Sequence, residues 1–132
     1  MINQKRDFEY SYRLYLNLRG KRVLGKGGAQ ILEAINEQGS ITAAAAKLGM
    51  SYKFVWDYLV RMQKLLNESV IVTHRGGSVR HKQGGGGTIL TPLAKSLLRD
   101  YGSRDRMVNG TLSGRRGIIL PGSNKLRRKV KR

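Results

Sequence analysis

Between Tyr10 and Leu18 the chain alternates strictly, with Tyr12, Leu14, Leu16 and Leu18 on one side and Ser11, Arg13, Tyr15, Asn17 and Arg19 on the other. A period of two is that of a half-buried strand. Arg19-Gly20 supplies turn chemistry, so Arg22-Val23-Leu24 is expected to return antiparallel as a short second strand. Past the loop Gly25-Lys-Gly-Gly the period lengthens, and Ile31, Leu32 and Ile35, with Ala34, make a helical stripe that Gly39 ends. A short alanine helix is expected next, from Thr42 as N-cap to Leu48, with Gly49 ending it. Ser51 then caps a third helix running to about Leu66, in which Val55, Leu59, Met62 and Leu66 recur at spacings of 4, 3 and 4. That face is expected to pack on the two helices before it.

Two helices joined by so short a turn have the layout of a helix-turn-helix. Beyond them, the strand-like runs Val70-Ile-Val-Thr and Thr88-Ile-Leu-Thr enclose a basic, glycine-rich segment from Arg75 to Gly87, which reads as a wing. Thr91 is an N-cap with Pro92 just inside a fourth helix, whose stripe is Leu93, Leu97 and Leu98 and whose end is expected between Tyr101 and Met107. From Asn109 the chain turns to Gly, Ser and basic residues, with one apolar island at Ile118-Ile-Leu-Pro121, and reads as a mostly disordered tail. The expected organisation is an arm over 1–9, one domain over 10–108 and a tail over 109–132. Its fold class is α+β, mainly α: a winged helix-turn-helix with an N-terminal β-hairpin and a glycine-rich basic wing.

Composition narrows the function. With 132 residues, 39% of them hydrophobic, the chain can bury one modest core. A formal net charge of +18 points to a polyanionic partner, whether DNA, RNA or an anionic membrane. Residues 114–132 carry eight cations and no acid, which leaves +10 on the remainder, so the domain is basic without its tail. The absence of cysteine excludes disulfides, thiol nucleophiles and cysteine metal sites. No stretch approaches the roughly 20 apolar residues of a spanning helix, so membrane insertion is not expected and a cytoplasmic, nucleoid-associated location is. Neither an enzyme, a metal nor a cofactor is expected: only eight carboxylates are scattered along the chain, and His74 and His81 stand seven apart on a hairpin. Gly84–Gly87 lacks the Gly-Lys-Ser/Thr ending of a phosphate loop.

The candidate nucleic-acid contacts follow from the helix-turn-helix layout, in which the start of the second helix offers side chains to base edges. Here those are Ser51, Tyr52, Lys53, Trp56 and Asp57, with Arg61 further along the helix. Lys53 suits guanine acceptors, Asp57 a cytosine amino group, and the rings thymine methyls or the sugar edge. The plain alternatives are a core role for Trp56 and a solubilising one for Asp57. Ser40 and Thr42 are candidates for a phosphate at the start of the alanine helix, compatibly with simple capping. Arg75, Arg80, His81 and Lys82 on the wing are expected along the backbone or in the minor groove. In the tail, Arg115, Arg116, Lys125, Arg127, Arg128 and Lys129 are expected to add sequence-independent phosphate contacts. The mixed recognition face favours sequence-specific DNA binding; a nonspecific architectural protein and, after it, an RNA binder are the alternatives. Helix 4 with the N-terminal strand is the candidate homodimer surface, against an ordinary core stripe.

Several of these segments stand in a familiar order: Leu24-Gly-Lys-Gly, Ile31-Leu-Glu-Ala-Ile, Gly39-Ser-Ile, Ala-Ala-Lys47-Leu-Gly-Met-Ser-Tyr-Lys53, Trp56-Asp57, and Gly84-Gly-Gly-Gly-Thr-Ile-Leu-Thr91-Pro. Over roughly residues 10–101 the chain resembles the N-terminal DNA-binding domain of molybdate-responsive ModE-type regulators, which is related to that of the LysR family. The resemblance implies a winged helix-turn-helix that dimerises through its N-terminal strands and flanking helices and binds an inverted-repeat operator. In the family, molybdate-binding domains usually follow. Here a basic tail follows, so a stand-alone unit that does not sense molybdate is expected. Ser78-Val-Arg-His-Lys-Gln83 also lengthens a wing tip that is mostly glycine in the family.

Overall fold

A computed structural model describes residues 8–74 and 87–113. The N-terminal hairpin pairs β1 (Leu16–Leu18) with β2 (Lys21–Leu24) across the two-residue turn Arg19-Gly20. Both turn residues have positive φ, 50° and 80°, as the turn that matches the twist of a tight hairpin requires. The alternation of the sequence survives in burial: Tyr12, Leu14, Leu16 and Leu18 are half-buried and their neighbours exposed, although only Leu16–Leu18 finds a strand partner.

Helix α1 (Lys26–Gln38) starts one residue after Gly25, so Gly27 and Gly28 lie in its first turn rather than in a loop. Gly28 has a reason to be there. An added Cβ would meet the Tyr58 hydroxyl and lie 2.8 Å from the ring's Cε1 and Cζ. The helix ends at Gly39, in the left-handed conformation that glycine adopts without strain.

Helix α2 (Ile41–Leu48) is capped by Ser40 and not, as expected, by Thr42. Ser40 is extended and its hydroxyl accepts from the Ala43 amide at 2.9 Å, which leaves Thr42 already inside the first turn. Ala44 and Ala45 are buried, where small side chains let neighbouring helices approach. Gly49 closes α2 in left-handed geometry, and Ser51 opens α3 (Tyr52–Leu66) by accepting from the Phe54 amide at 3.0 Å. Asn67, another residue that tolerates positive φ, closes α3.

The wing stem pairs β3 (Ile71–Thr73) with β4 (Thr88–Leu90) in antiparallel register, Val72 opposite Ile89. It is fastened at three places. Gln63 Oε1 of α3 accepts from the Val70 amide at 2.9 Å, the Thr88 amide donates to the Gly39 carbonyl at 2.8 Å, and Thr91 Oγ1 donates to the Ser69 carbonyl at 2.9 Å. The residues between the stem strands, 75–86, lie outside those described.

Helix α4 (Pro92–Ser113) begins where Pro92 fits, with Thr91 Oγ1 accepting from the Ala94 amide at 3.2 Å. It continues past the expected end between Tyr101 and Met107, with Gly102 and Gly110 inside it. The described residues divide into two compact units, one within residues 13–103 and the other formed by 8–12 with 104–113. In the first, one core gathers Val23, Leu24, Ile31, Leu32, Ile35, Val55, Leu59, Met62, Val70, Leu90 and Tyr101. In the second, Tyr12 Oη donates to Asp105 Oδ1 at 2.8 Å.

Candidate nucleic-acid interface

At 3.6 residues per turn, the buried stripe Val55, Leu59 and Met62 fixes which side chains of α3 point away from the core. Three columns result. Opposite the core stand Lys53 and Asp57, whose Nζ and Oδ2 lie 2.8 Å apart as an i,i+4 ion pair with both side chains more than half exposed. On one flank Tyr52 and Trp56 stack, centroids 6.4 Å apart and planes within 10°. On the other flank Phe54 and Tyr58 approach at 6.4 Å with tilted planes.

Trp56 is 40% exposed and therefore not a core residue, and Tyr52 is 50% exposed beside it. The face therefore offers two adjacent aromatic surfaces and a donor beside an acceptor. The ion pair stabilises the helix by only about 0.3–0.5 kcal/mol at such exposure, so either partner is readily given up to a ligand. Ser51, at the mouth of the helix, already uses its hydroxyl as a cap. Arg61 lies one turn beyond Asp57, exposed, with its guanidinium 4.8 Å over the Tyr58 ring and Nη1 donating to the Arg22 carbonyl at 3.3 Å. It thus faces the N-terminal hairpin rather than joining the Lys53–Asp57 pair.

Ser40 is half-buried and committed to its cap, while Thr42 is exposed on the first turn of α2. Arg75, Arg80, His81 and Lys82 of the wing lie outside the described residues, as do Arg115, Arg116, Lys125, Arg127, Arg128 and Lys129 of the tail. Two features escaped the sequence reading. Phe54 is 52% exposed, signalled only by its place a quarter turn from the Val55 stripe. Arg22 lies with its guanidinium 3.6 Å from the centroid of the Tyr15 ring, a juxtaposition that no spacing announces. The expected dimer stripe of helix 4 is also partly spent: Tyr101 is buried in the chain's own core with its hydroxyl donating to the Leu14 carbonyl at 2.8 Å, and Leu97 and Leu98 pack against that core. Among the described residues no three His, Asp or Glu side chains are placed to hold a metal, and no helix is long and apolar enough to cross a membrane.

Residues 28–94 match the bacterial regulatory helix-turn-helix proteins of the lysR family. The chain is 38% identical over 90 residues to the molybdenum-pterin-binding protein MopB of Rhodobacter capsulatus, covering 68% of this chain and 32% of that protein. It is 46% identical over 68 residues to the molybdenum transport protein ModE of Herbaspirillum seropedicae, covering 52% of this chain and 23% of that one. The chain thus spans a third or less of these two relatives. Among solved structures, a mutant of ZitR from Lactococcus lactis superposes with a TM-score of 0.53 at 20% identity, over 82% of this chain and 70% of that one, a likeness of fold. The ModE-type resemblance seen in the motif order and the winged helix-turn-helix class agree with these similarities.

Proposed function

The chain belongs to the lysR family of bacterial regulatory helix-turn-helix proteins, and from that premise we propose that it is a transcription regulator that reads double-stranded DNA sequence with the first two turns of α3 in the major groove. The observation that carries the reading is the chemistry of that exposed face. A surface meant only to attract phosphates gains nothing from an acid, whereas Lys53 beside Asp57 at 2.8 Å presents a donor and an acceptor side by side. A G·C pair offers the complement on its major-groove edge: guanine N7 and O6 accept and cytosine N4 donates. Tyr52 and Trp56 supply apolar contact for thymine methyls or sugars. Ser40 and Thr42 at the start of α2, and Arg75, Arg80, His81 and Lys82 of the wing, are assigned to the flanking backbone.

A homodimer on an inverted repeat suits the same reading. Within the unit that contains residues 8–12 and 104–113, Phe8, Tyr10 and Met107 are 46%, 61% and 65% exposed, apolar surface that a second copy would cover. Two recognition helices would then sit about 34 Å or more apart, one turn of DNA or a multiple.

The test is selection of bound duplexes from a random pool at about 0.15 M salt, where exposed charges are screened beyond about 8 Å. An inverted repeat is the expected product. In Lys53→Ala, preference at one base pair per half-site should fall by about 1–3 kcal/mol while the others persist. Retained duplex affinity with enrichment of composition alone would overturn sequence reading.

A further inference from the structure

The N-terminal hairpin runs through a stretch, residues 10–32, that holds Arg13, Arg19, Lys21, Arg22 and Lys26 and no acid. Structural arginines on a protein surface are commonly matched by carboxylates. Here the described ion pairs of the α1–α3 region are Lys47–Glu37 and Lys53–Asp57, and neither involves Arg22 or Arg61. Those two are seated on rings instead: Arg22 over Tyr15 at 3.6 Å and Arg61 over Tyr58 at 4.8 Å, joined by the bond from Arg61 Nη1 to the Arg22 carbonyl at 3.3 Å. A ring beneath the guanidinium takes none of its N–H donors, and of those on Arg61 only Nη1 is engaged among the described residues, by the Arg22 carbonyl. Such a seat also keeps the full positive charge, which an ion pair would cancel.

We infer that Arg22 and Arg61 form a prearranged clamp for a phosphodiester backbone, with Arg19 and Lys21 of the hairpin beside it, so that the N-terminal hairpin is a DNA-contacting element in addition to α3 and the wing. The inference rests on the reading of α3 proposed above. Its geometry follows from length. The 15 residues of α3 span roughly 22 Å at 1.5 Å per residue, against a major groove about 12 Å wide. With the first two turns between the strands, the second half of the helix passes out over a flanking backbone, and Arg61 lies on that half. Planar guanidinium forks suit phosphate oxygens better than an ammonium does. An acidic protein surface would satisfy the same charges, but Arg61 follows Asp57 by one turn on the same helix, which favours the nucleic acid proposed to engage the first two turns.

The experiment measures the affinity of the full chain and of Arg22→Gln, Arg61→Gln and the double variant for a duplex taken from the selection and for a scrambled duplex, across a salt series. Lys95→Gln on α4 serves as the reference for loss of one charge. Each clamp variant should lower the slope of log affinity against log salt by about 0.9, and the double variant by about 1.8. Extrapolated from 1 M salt, one lost contact weakens binding about fivefold at 0.15 M. The loss should be equal on both duplexes, leaving the preference ratio unchanged, and Arg22→Lys should restore most of the slope. Thermal melting of the variants should match the parent, since both side chains are exposed. An unchanged slope in the double variant, a loss no larger than that of Lys95→Gln, or a loss confined to the selected duplex overturns the clamp. If the parent chain prefers no sequence, the reading of α3 fails, yet the slopes of the variants on any duplex still decide the clamp.

Discussion

The two halves of α3 share one buried stripe and differ in who satisfies their outer side chains. In the first half the partners are local: Tyr52 with Trp56 and Lys53 with Asp57, each four residues apart. In the second half Gln63 reaches outside the helix, its Oε1 accepting from the Val70 amide at the root of the wing. A side chain satisfied by its own helix can exchange that partner for a ligand without disturbing anything else. One that fastens a neighbouring element cannot. The helix is thus divided into the half proposed to read DNA and a half that, through Gln63, holds the root of the wing.

Three substitutions sharpen or break this division. Leu59→Ala, at 0% exposure on the shared stripe, should cost about 2–5 kcal/mol in urea unfolding and remove both halves together; a smaller loss would mean that the stripe is not their common support. Gln63→Ala leaves the Val70 amide without its acceptor and should destabilise the fold by about 1–3 kcal/mol, well above any exposed change in the first half. If it proves as mild as those, the second half is not an anchor. Asp57→Asn should move stability by no more than about 0.3–0.5 kcal/mol but free the Lys53 ammonium for phosphates. Affinity for scrambled duplexes should therefore rise and preference for the selected one should fall, both read by competition binding. A rise on selected and scrambled duplexes alike would break the assignment of Asp57 to base reading.

What the sequence made legible was local. Ser51, Gly39, Gly49 and Pro92 announce helix ends because caps and stops act through adjacent backbone, and the period-two pattern announces the burial of Leu14, Leu16 and Leu18 whether or not a partner strand is present. What depends on a residue arriving from elsewhere was not legible. Nothing near Gly28 indicates that a tyrosine ring from α3 will fill its side-chain space. The irregularity between Leu16 and Asn17 shifts Leu16 opposite Leu24, so counting back from the hairpin turn mispairs that end. Helix α4 overruns its expected end because glycine in a helix costs only about 1 kcal/mol, while Thr111 and Ser113 turn their hydroxyls back onto the Met107 and Asn109 carbonyls. In the candidate site, the columns of α3 follow from its buried stripe and the seat of Arg61 on Tyr58 from a spacing of three, whereas the seat of Arg22 on Tyr15 and the bond from Arg61 to the Arg22 carbonyl follow from tertiary approach.

The vacancy at Gly28 carries a consequence for surface chemistry. The ring that occupies it is the one beneath Arg61, so a single methyl added to α1 would displace the ring and shift a positive charge on the outside of α3. Two sequences differing only there would have the same net charge, the same cap residues and the same hydrophobic pattern. On the proposed clamp they would still hold a polyanion differently, because an interior volume sets where the exterior charge projects.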